Sequence, residues 1–110
     1  MASKRWVVNA SPLILLGKTD NLDLLGALAD VVAVPRAVVD EVRAKPDGIP
    51  IVQTLTHNAA FRVVDDEAVS PDILSWDLGA GETQVITNAQ RHGADRVVID
   101  DLEARRCAIS

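Results

Sequence analysis

Residues 6–17 read WVVNASPLILLG, and this stretch decides the fold. Trp6, Val7 and Val8 form a short continuous apolar run, the pattern of a strand buried on both faces, and it stops at the polar Asn9. Ser11 then supplies a helix N-cap and Pro12 a first helical residue. The helix carries residues 13–16 and ends near Gly17. A buried strand running directly into a helix opens an α/β unit with a parallel sheet.

The same alternation continues outward. Residues 21–29 fit a second helix with Leu22, Leu25 and Leu28 on one face, and residues 31–34 (VVAV) form another apolar strand. Pro35 opens a helix that runs to about Arg43, with Val38 and Val42 one turn apart. Residues 45–48 (KPDG) are a turn, and residues 49–58 are helical with Ile51, Val52 and Leu55 inward. Residues 61–64 suit a short edge strand, followed by the acidic loop Asp65, Asp66 and Glu67. A flexible GAGE segment (79–82) leads into a helix to about His92, with Gly93 as its C-cap. Residues 96–99 are a third confident apolar strand ending at Asp100 and Asp101, and residues 102–109 begin a last helix. The fold class is therefore α/β, with a central parallel sheet flanked by helices in a single domain over residues 1–110.

Composition agrees and narrows the setting. The 110 residues are 48 % hydrophobic, almost all aliphatic, which suits helices on a parallel sheet rather than a disordered chain. One cysteine, Cys107, excludes an internal disulfide and a cysteine-based zinc site; it is read as a small buried helix residue. The basic start is followed by an apolar stretch broken at Asn9, Ser11 and Pro12, too short to span a membrane. A reducing, cytoplasmic location is expected. The net charge of −5 argues against passive binding along a nucleic-acid backbone, which requires a basic face.

Polar oxygen donors fall at strand ends. Asn9 follows the first strand and Asp100 with Asp101 follows the third, and parallel sheets build their sites outside those carboxyl ends. If these strands are neighbours, Asn9 and the two aspartates share one cleft. Glu41 lies beside the apolar pair Val38 and Val42, and Glu82 stands three, four and seven residues before Val85, Ile86 and Ala89, extending a core-facing stripe. Converging carboxylates lose hydration and repel, so they persist with a compensating cation. Oxygen ligands of this kind suit Mg²⁺ or Mn²⁺, which bridge to phosphate and activate water. Each acid also has a plain structural use. Glu82 complements a helix dipole, Glu41 pairs with Lys45 at i,i+4, and Asp100 and Asp101 cap the last helix.

Four segments carry a resemblance: VVNASPLILLGKTDNLDLL (7–25), VPRAVVDEV (34–42), GAGETQVI (79–86) and VVIDDLEARR (97–106). In this order they resemble the PIN domain family, especially its VapC-like toxin branch. The resemblance implies a three-layer, metal-dependent ribonuclease fold with a quartet of acidic positions. Asn9 takes the first position, Glu41 the second, Glu82 the third and Asp101 the fourth, with Asp100 and Glu103 flanking the last. Ser11 matches the hydroxyl residue behind the first position. Also implied are RNA as substrate, Mg²⁺ or Mn²⁺ as cofactor, a cognate antitoxin as partner, and a homodimer or higher oligomer.

Two departures stand out. Asn9 replaces an acid, so its amide oxygen binds a metal without adding charge and cannot act as a base. The chain also stops at Ser110, before the last strand and helices expected of this type, so the domain is expected to be C-terminally incomplete. The alternative reading is a catalytically weakened module that holds RNA or a protein. A phospho-acceptor receiver domain lacks support, because no isolated Asp ends the middle strand and no Lys ends the last. His57 and His92 read as surface residues, and Trp76 as a loop residue packing on the core rather than stacking a base. Arg105 either faces the acidic site or lies on an exposed helix face. The expectation is a metal-dependent endoribonuclease, a toxin of a toxin–antitoxin pair, with Glu41, Glu82 and Asp101 catalytic.

Overall fold

Parallel strands cannot be joined by a tight hairpin, and every crossover here is helical. The computed structural model describes residues 4–100. Its elements are β1 (Arg5–Val8), α1 (Ala10–Lys18), α2 (Leu22–Leu28), β2 (Val31–Pro35), α3 (Arg36–Arg43) and α4 (Gly48–His57), followed by β3 (Phe61–Val64), α5 (Pro71–Leu74), α6 (Ala80–His92) and β4 (Arg96–Val98). The four strands form one sheet in the order β3-β2-β1-β4, and every pairing is parallel. Val7 sits between Ala33 and Val97 in the central register. The α/β architecture expected from the sequence is present, and the short segment 61–64 is a full edge strand paired along four residues of β2.

The sheet is buried because its strands are aliphatic on both faces. Val7, Val8, Val32, Ala33, Val34 and Val98 are each fully buried. Helices α1, α3 and α4 pack on one another, while α6 lies along β1 and β2 and against α3. Arg5 fastens β4 to β1 at the amino ends. Its backbone exchanges hydrogen bonds with Asp95, at 2.7 and 2.8 Å, and its guanidinium donates to the Gly93 carbonyl and the buried Asn88 side chain.

Several boundaries differ from the sequence expectation, each for a physical reason. The N-cap of α1 is Asn9, not Ser11, and Pro12 is the third helical residue. A proline is tolerated there because first-turn N–H groups have no intrahelical acceptor. Gly17 does not end α1. A β-carbon at Gly17 would lie 2.6 Å from Ile51, so this glycine lets α1 and α4 approach closely. Helix α5 lies in a stretch to which the sequence assigned no element; Ser70 caps it, Pro71 opens it, and Ile73 anchors it in the interior. Trp76, in the turn after α5, does not pack on the core: it is 53 % exposed. The helix expected over 102–109, with Cys107, lies outside the described residues.

Candidate functional site

In an open parallel sheet the ligand crevice lies where the strand order reverses direction, at the carboxyl ends of the flanking strands. Here the chain proceeds from β1 outward to β2 and β3, then returns to place β4 on the other side of β1. The reversal falls between β1 and β4, whose carboxyl ends carry Asn9 and Asp100. The Asn9 N–H donates to the Val98 carbonyl at 2.9 Å, so the first strand's end is tied to the last strand's end. The strands that end at Asn9 and before Asp100 are therefore neighbours, the condition on which a shared cleft depended. Asp100 itself is exposed. Asp101, Glu103 and Arg105 lie outside the described residues.

Asn9 is held in an unusual state. The side-chain oxygen of an N-cap residue ordinarily accepts from the N–H of the second or third helical residue. Here the third is Pro12, which has no N–H, and Asn9 makes no side-chain cap bond. Its Oδ1 is buried and has no hydrogen-bond partner among the described residues. An orphaned buried acceptor costs about 1–3 kcal/mol, and native structures retain few of them.

Glu41 approaches the same cleft from α3. It is half-buried, and its Oε1 accepts the Gly81 N–H at 2.8 Å, in the first turn of α6. Negative charge at that point complements the helix dipole. A β-carbon on Gly81 would stand 2.6 Å from Oε1, so only glycine leaves room for the carboxylate. The i,i+4 pairing with Lys45 considered from the sequence is absent from the ion pairs among the described residues. Glu82 is the next residue along α6, half-buried, and its side chain has no hydrogen bond or ion pair among the described residues. It does not extend the core stripe as expected. α6 buries Gly81, Thr83, Val85, Thr87 and Asn88, while Glu82, Ile86 and Ala89 sit at the half-buried margin. The shift follows from α6 packing against both α3 and the sheet.

The acidic loop after β3 proves to position these helices. Asp66 accepts the Ala37 N–H at 3.0 Å at the start of α3, and Asp65 pairs with Arg36. Glu67 exchanges backbone hydrogen bonds with the Gln84 side chain and pairs with Arg91 and His92 of α6. Sequence inspection registered the charge run but not this role, because the partners lie 17 to 29 residues away.

A cleft of about 430 Å³ is lined by Asn9, Ser11, Ile14, Leu15, Glu41 and the two lysines Lys18 and Lys45. A larger cleft of about 760 Å³ beside α4, near His57 and Asn58, contains none of the expected site residues. Among the described residues no three His, Cys, Asp or Glu side chains gather at metal-binding range. The donors present at the crevice are thus an amide oxygen and carboxylates on separate elements.

An open parallel α/β domain with oxygen donors at its switch point is the class this architecture defines. The chain belongs to the PIN domain family, whose model matches residues 5–110. PIN domains are typically nucleases and generally use divalent metal ions, so the fold is nuclease-like and its family implies nucleic-acid binding. No curated protein and no solved structure matches the chain. Among the described residues no helix is long and apolar enough to cross a membrane.

Proposed function

We propose that the chain is a metal-dependent endoribonuclease that hydrolyses RNA phosphodiester bonds, acting as the toxin of a toxin–antitoxin pair. The observation that carries the catalytic part is the buried Oδ1 of Asn9 at the end of β1, without a partner among the described residues, in a cleft that Glu41 also lines. Hard oxygen donors fit Mg²⁺ or Mn²⁺, and such an ion would satisfy the orphaned acceptor. Asn9, Glu41, Glu82, Asp100 and Asp101 would hold it, and it would supply charge neutralisation at the phosphate and a more acidic water.

The chain's own groups divide the remaining work. Glu41 keeps one oxygen on the α6 N-terminus and leaves Oε2 for the cleft. Glu82 accepts a hydrogen bond from the attacking water and takes its proton as the water oxygen bonds to phosphorus. The bond from phosphorus to the leaving ribose oxygen breaks, and that oxygen takes a proton from solvent. Asp101 completes the catalytic set, with Ser11, Glu103 and Arg105 in support. Asn9 orients without acting as a base, since an amide oxygen does not titrate.

The test is incubation of the pure protein with structured RNA and Mn²⁺ beside a Glu82→Ala control. Cleavage by the parent, abolished by chelator and lowered about 100-fold or more in the variant, is the expected result for loss of a general base. Equal residual cleavage in both proteins contradicts the assignment. The toxin role, cytoplasmic site, antitoxin and self-association belong to the same proposal. Growth arrest on expression, relieved by co-expressing the adjacent reading frame, tests them.

A second reading has one observation in its favour: no three acidic or metal-ligating side chains gather among the described residues. On that reading the domain holds RNA or a protein without cutting it. Asn9→Asp then changes neither metal affinity nor cleavage, and RNA binding is indifferent to chelator.

A further inference from the structure

Trp76 and Leu74 are left in solvent, 53 % and 62 % exposed, on the outer side of α5 and the turn behind it. The buried Ile73 between them in sequence fixes this orientation, because it anchors α5 to the interior. The helical turn also continues past α5. The Ser75 N–H donates to the Pro71 carbonyl, the Trp76 N–H to Ile73 at 3.1 Å, and the Asp77 N–H to Leu74 at 3.3 Å. Residues three or four apart on such a turn are neighbours, so Asp72 stands beside Trp76 and Asp77 beside Leu74. Both aspartates are exposed, and neither side chain makes a hydrogen bond or ion pair among the described residues. None of these residues lines the cleft of Asn9 and Glu41.

The surrounding charge is one-sided. Residues 65–82 (DDEAVSPDILSWDLGAGE) hold six of the chain's 16 acids and no Lys, Arg or His. The rest of the chain carries ten acids against 11 bases, so the net charge of −5 is concentrated in this segment. Asp65, Asp66 and Glu67 are occupied by Arg36, the Ala37 N–H, Arg91 and His92, and Glu82 stands on α6. Asp72 and Asp77 are the two acids of the segment that flank the exposed indole.

An indole face attracts a cation more strongly than any other side-chain ring, and a guanidinium lies flat on it while its N–H groups reach carboxylates. A nucleic-acid phosphate would instead meet two free carboxylates with no base in the segment to offset them. A second copy docking the same face about a two-fold axis would set these aspartates against one another. Charge complementarity thus selects a cationic occupant, and Leu74 adds an apolar contact beside it.

We infer that the outer face of α5 and its following turn docks a basic peptide segment of a partner protein. An arginine of that segment lies on the Trp76 indole within reach of Asp72 and Asp77, and an aliphatic side chain packs on Leu74. This surface is separate from the proposed nuclease site and does not depend on it.

The experiment uses the full chain and a short, labelled, amidated peptide of arginine and leucine, followed by fluorescence anisotropy. Trp6 is buried at 7 % exposure, so acrylamide quenching of the protein's own fluorescence reports on Trp76. The peptide should bind and shield Trp76 from acrylamide, and a peptide with glutamate in place of arginine should do neither. Trp76→Ala should weaken binding about tenfold, as expected of a tryptophan at the centre of a contact. Asp72→Asn with Asp77→Asn should weaken it about threefold at low salt and flatten its salt dependence. All three positions are exposed, so the melting temperature should match the parent's. Trp76→Ala binding as tightly as the parent overturns the inference, as does a parent that fails to bind the arginine peptide. Shielding of Trp76 by single-stranded RNA but not by the peptide overturns it in favour of a nucleic-acid contact. Shielding that grows with protein concentration alone overturns it in favour of a second copy.

Discussion

Asn9 stands where two uses of one side-chain oxygen compete. It could cap α1 or face the cleft, and Pro12 removes the third-residue N–H donor that capping would use. Pro12→Ala restores that donor. The cap gained, about 0.5–2 kcal/mol, opposes the lost chain stiffening of about 0.4–1 kcal/mol and the lost apolar burial. Stability should therefore move by only about 1 kcal/mol, while Mn²⁺ affinity measured by calorimetry falls as Oδ1 turns to the helix. Unchanged affinity would show that Oδ1 is not a ligand. Asn9→Asp acts in the opposite direction: an added carboxylate should raise Mn²⁺ affinity and cleavage. At this scale the sequence pointed to Asn9 and Glu41, which line one cleft, and was a poor guide to their state. Asn9 and Glu41 were singled out from strand-end and helix-face position. The orphaned oxygen depends on which residue starts the helix, and that boundary shifted by two residues. Lys18 went unnoticed, and Lys45 was considered only as a partner for Glu41, because their common cleft arises from α1 and α3 packing together.

Among the elements, α3 and α6 decide whether Glu41 and Glu82 can serve one site. Their link is the hydrogen bond from Gly81 to Glu41 at 2.8 Å. Gly81→Ala places a methyl group 2.6 Å from the carboxylate oxygen, so the bond must break or α6 must shift. The expected cost is about 1–3 kcal/mol in urea unfolding, with a loss of cleavage larger than that stability change explains. Glu41→Gln retains an acceptor for Gly81 and should fold normally while losing metal affinity; normal affinity would assign Glu41 to structure alone. The order of strands and crossover helices was legible because buried parallel strands are continuous aliphatic runs. Helix α5 was missed although Ser70 and Pro71 repeat the cap-then-proline signal, because its four residues give too little periodicity to register. Trp76 was misplaced for a related reason: a lone aromatic in a turn carries no pattern that says which way it points.

For the whole molecule, the strand order β3-β2-β1-β4 is what turns scattered oxygen donors into one candidate site. Adjacency of β1 and β4 is a topological fact that no local pattern contains; the sequence supported it only as a condition. Arg5 secures that adjacency through Asp95, Gly93 and Asn88. Arg5→Ala leaves the Asn88 oxygen, 3 % exposed as a residue, without its donor. It should destabilise the fold by about 1.5–3 kcal/mol. A smaller loss, under about 0.5 kcal/mol, would place the β1–β4 junction elsewhere. The net charge of −5, which first opposed a nucleic-acid partner, is offset locally by Lys18 and Lys45 on the cleft that Asn9 and Glu41 line. The decisive measurement is a Mn²⁺ titration of the isotope-labelled protein, following paramagnetic broadening of the asparagine side-chain amides. At substoichiometric metal the Asn9 amide should broaden first, with Asn21 and Asn58 unaffected, and Glu41→Gln should weaken the effect. Broadening that spares Asn9, or that centres on the loop of Asp65, Asp66 and Glu67, would contradict a metal site at the β1/β4 switch point.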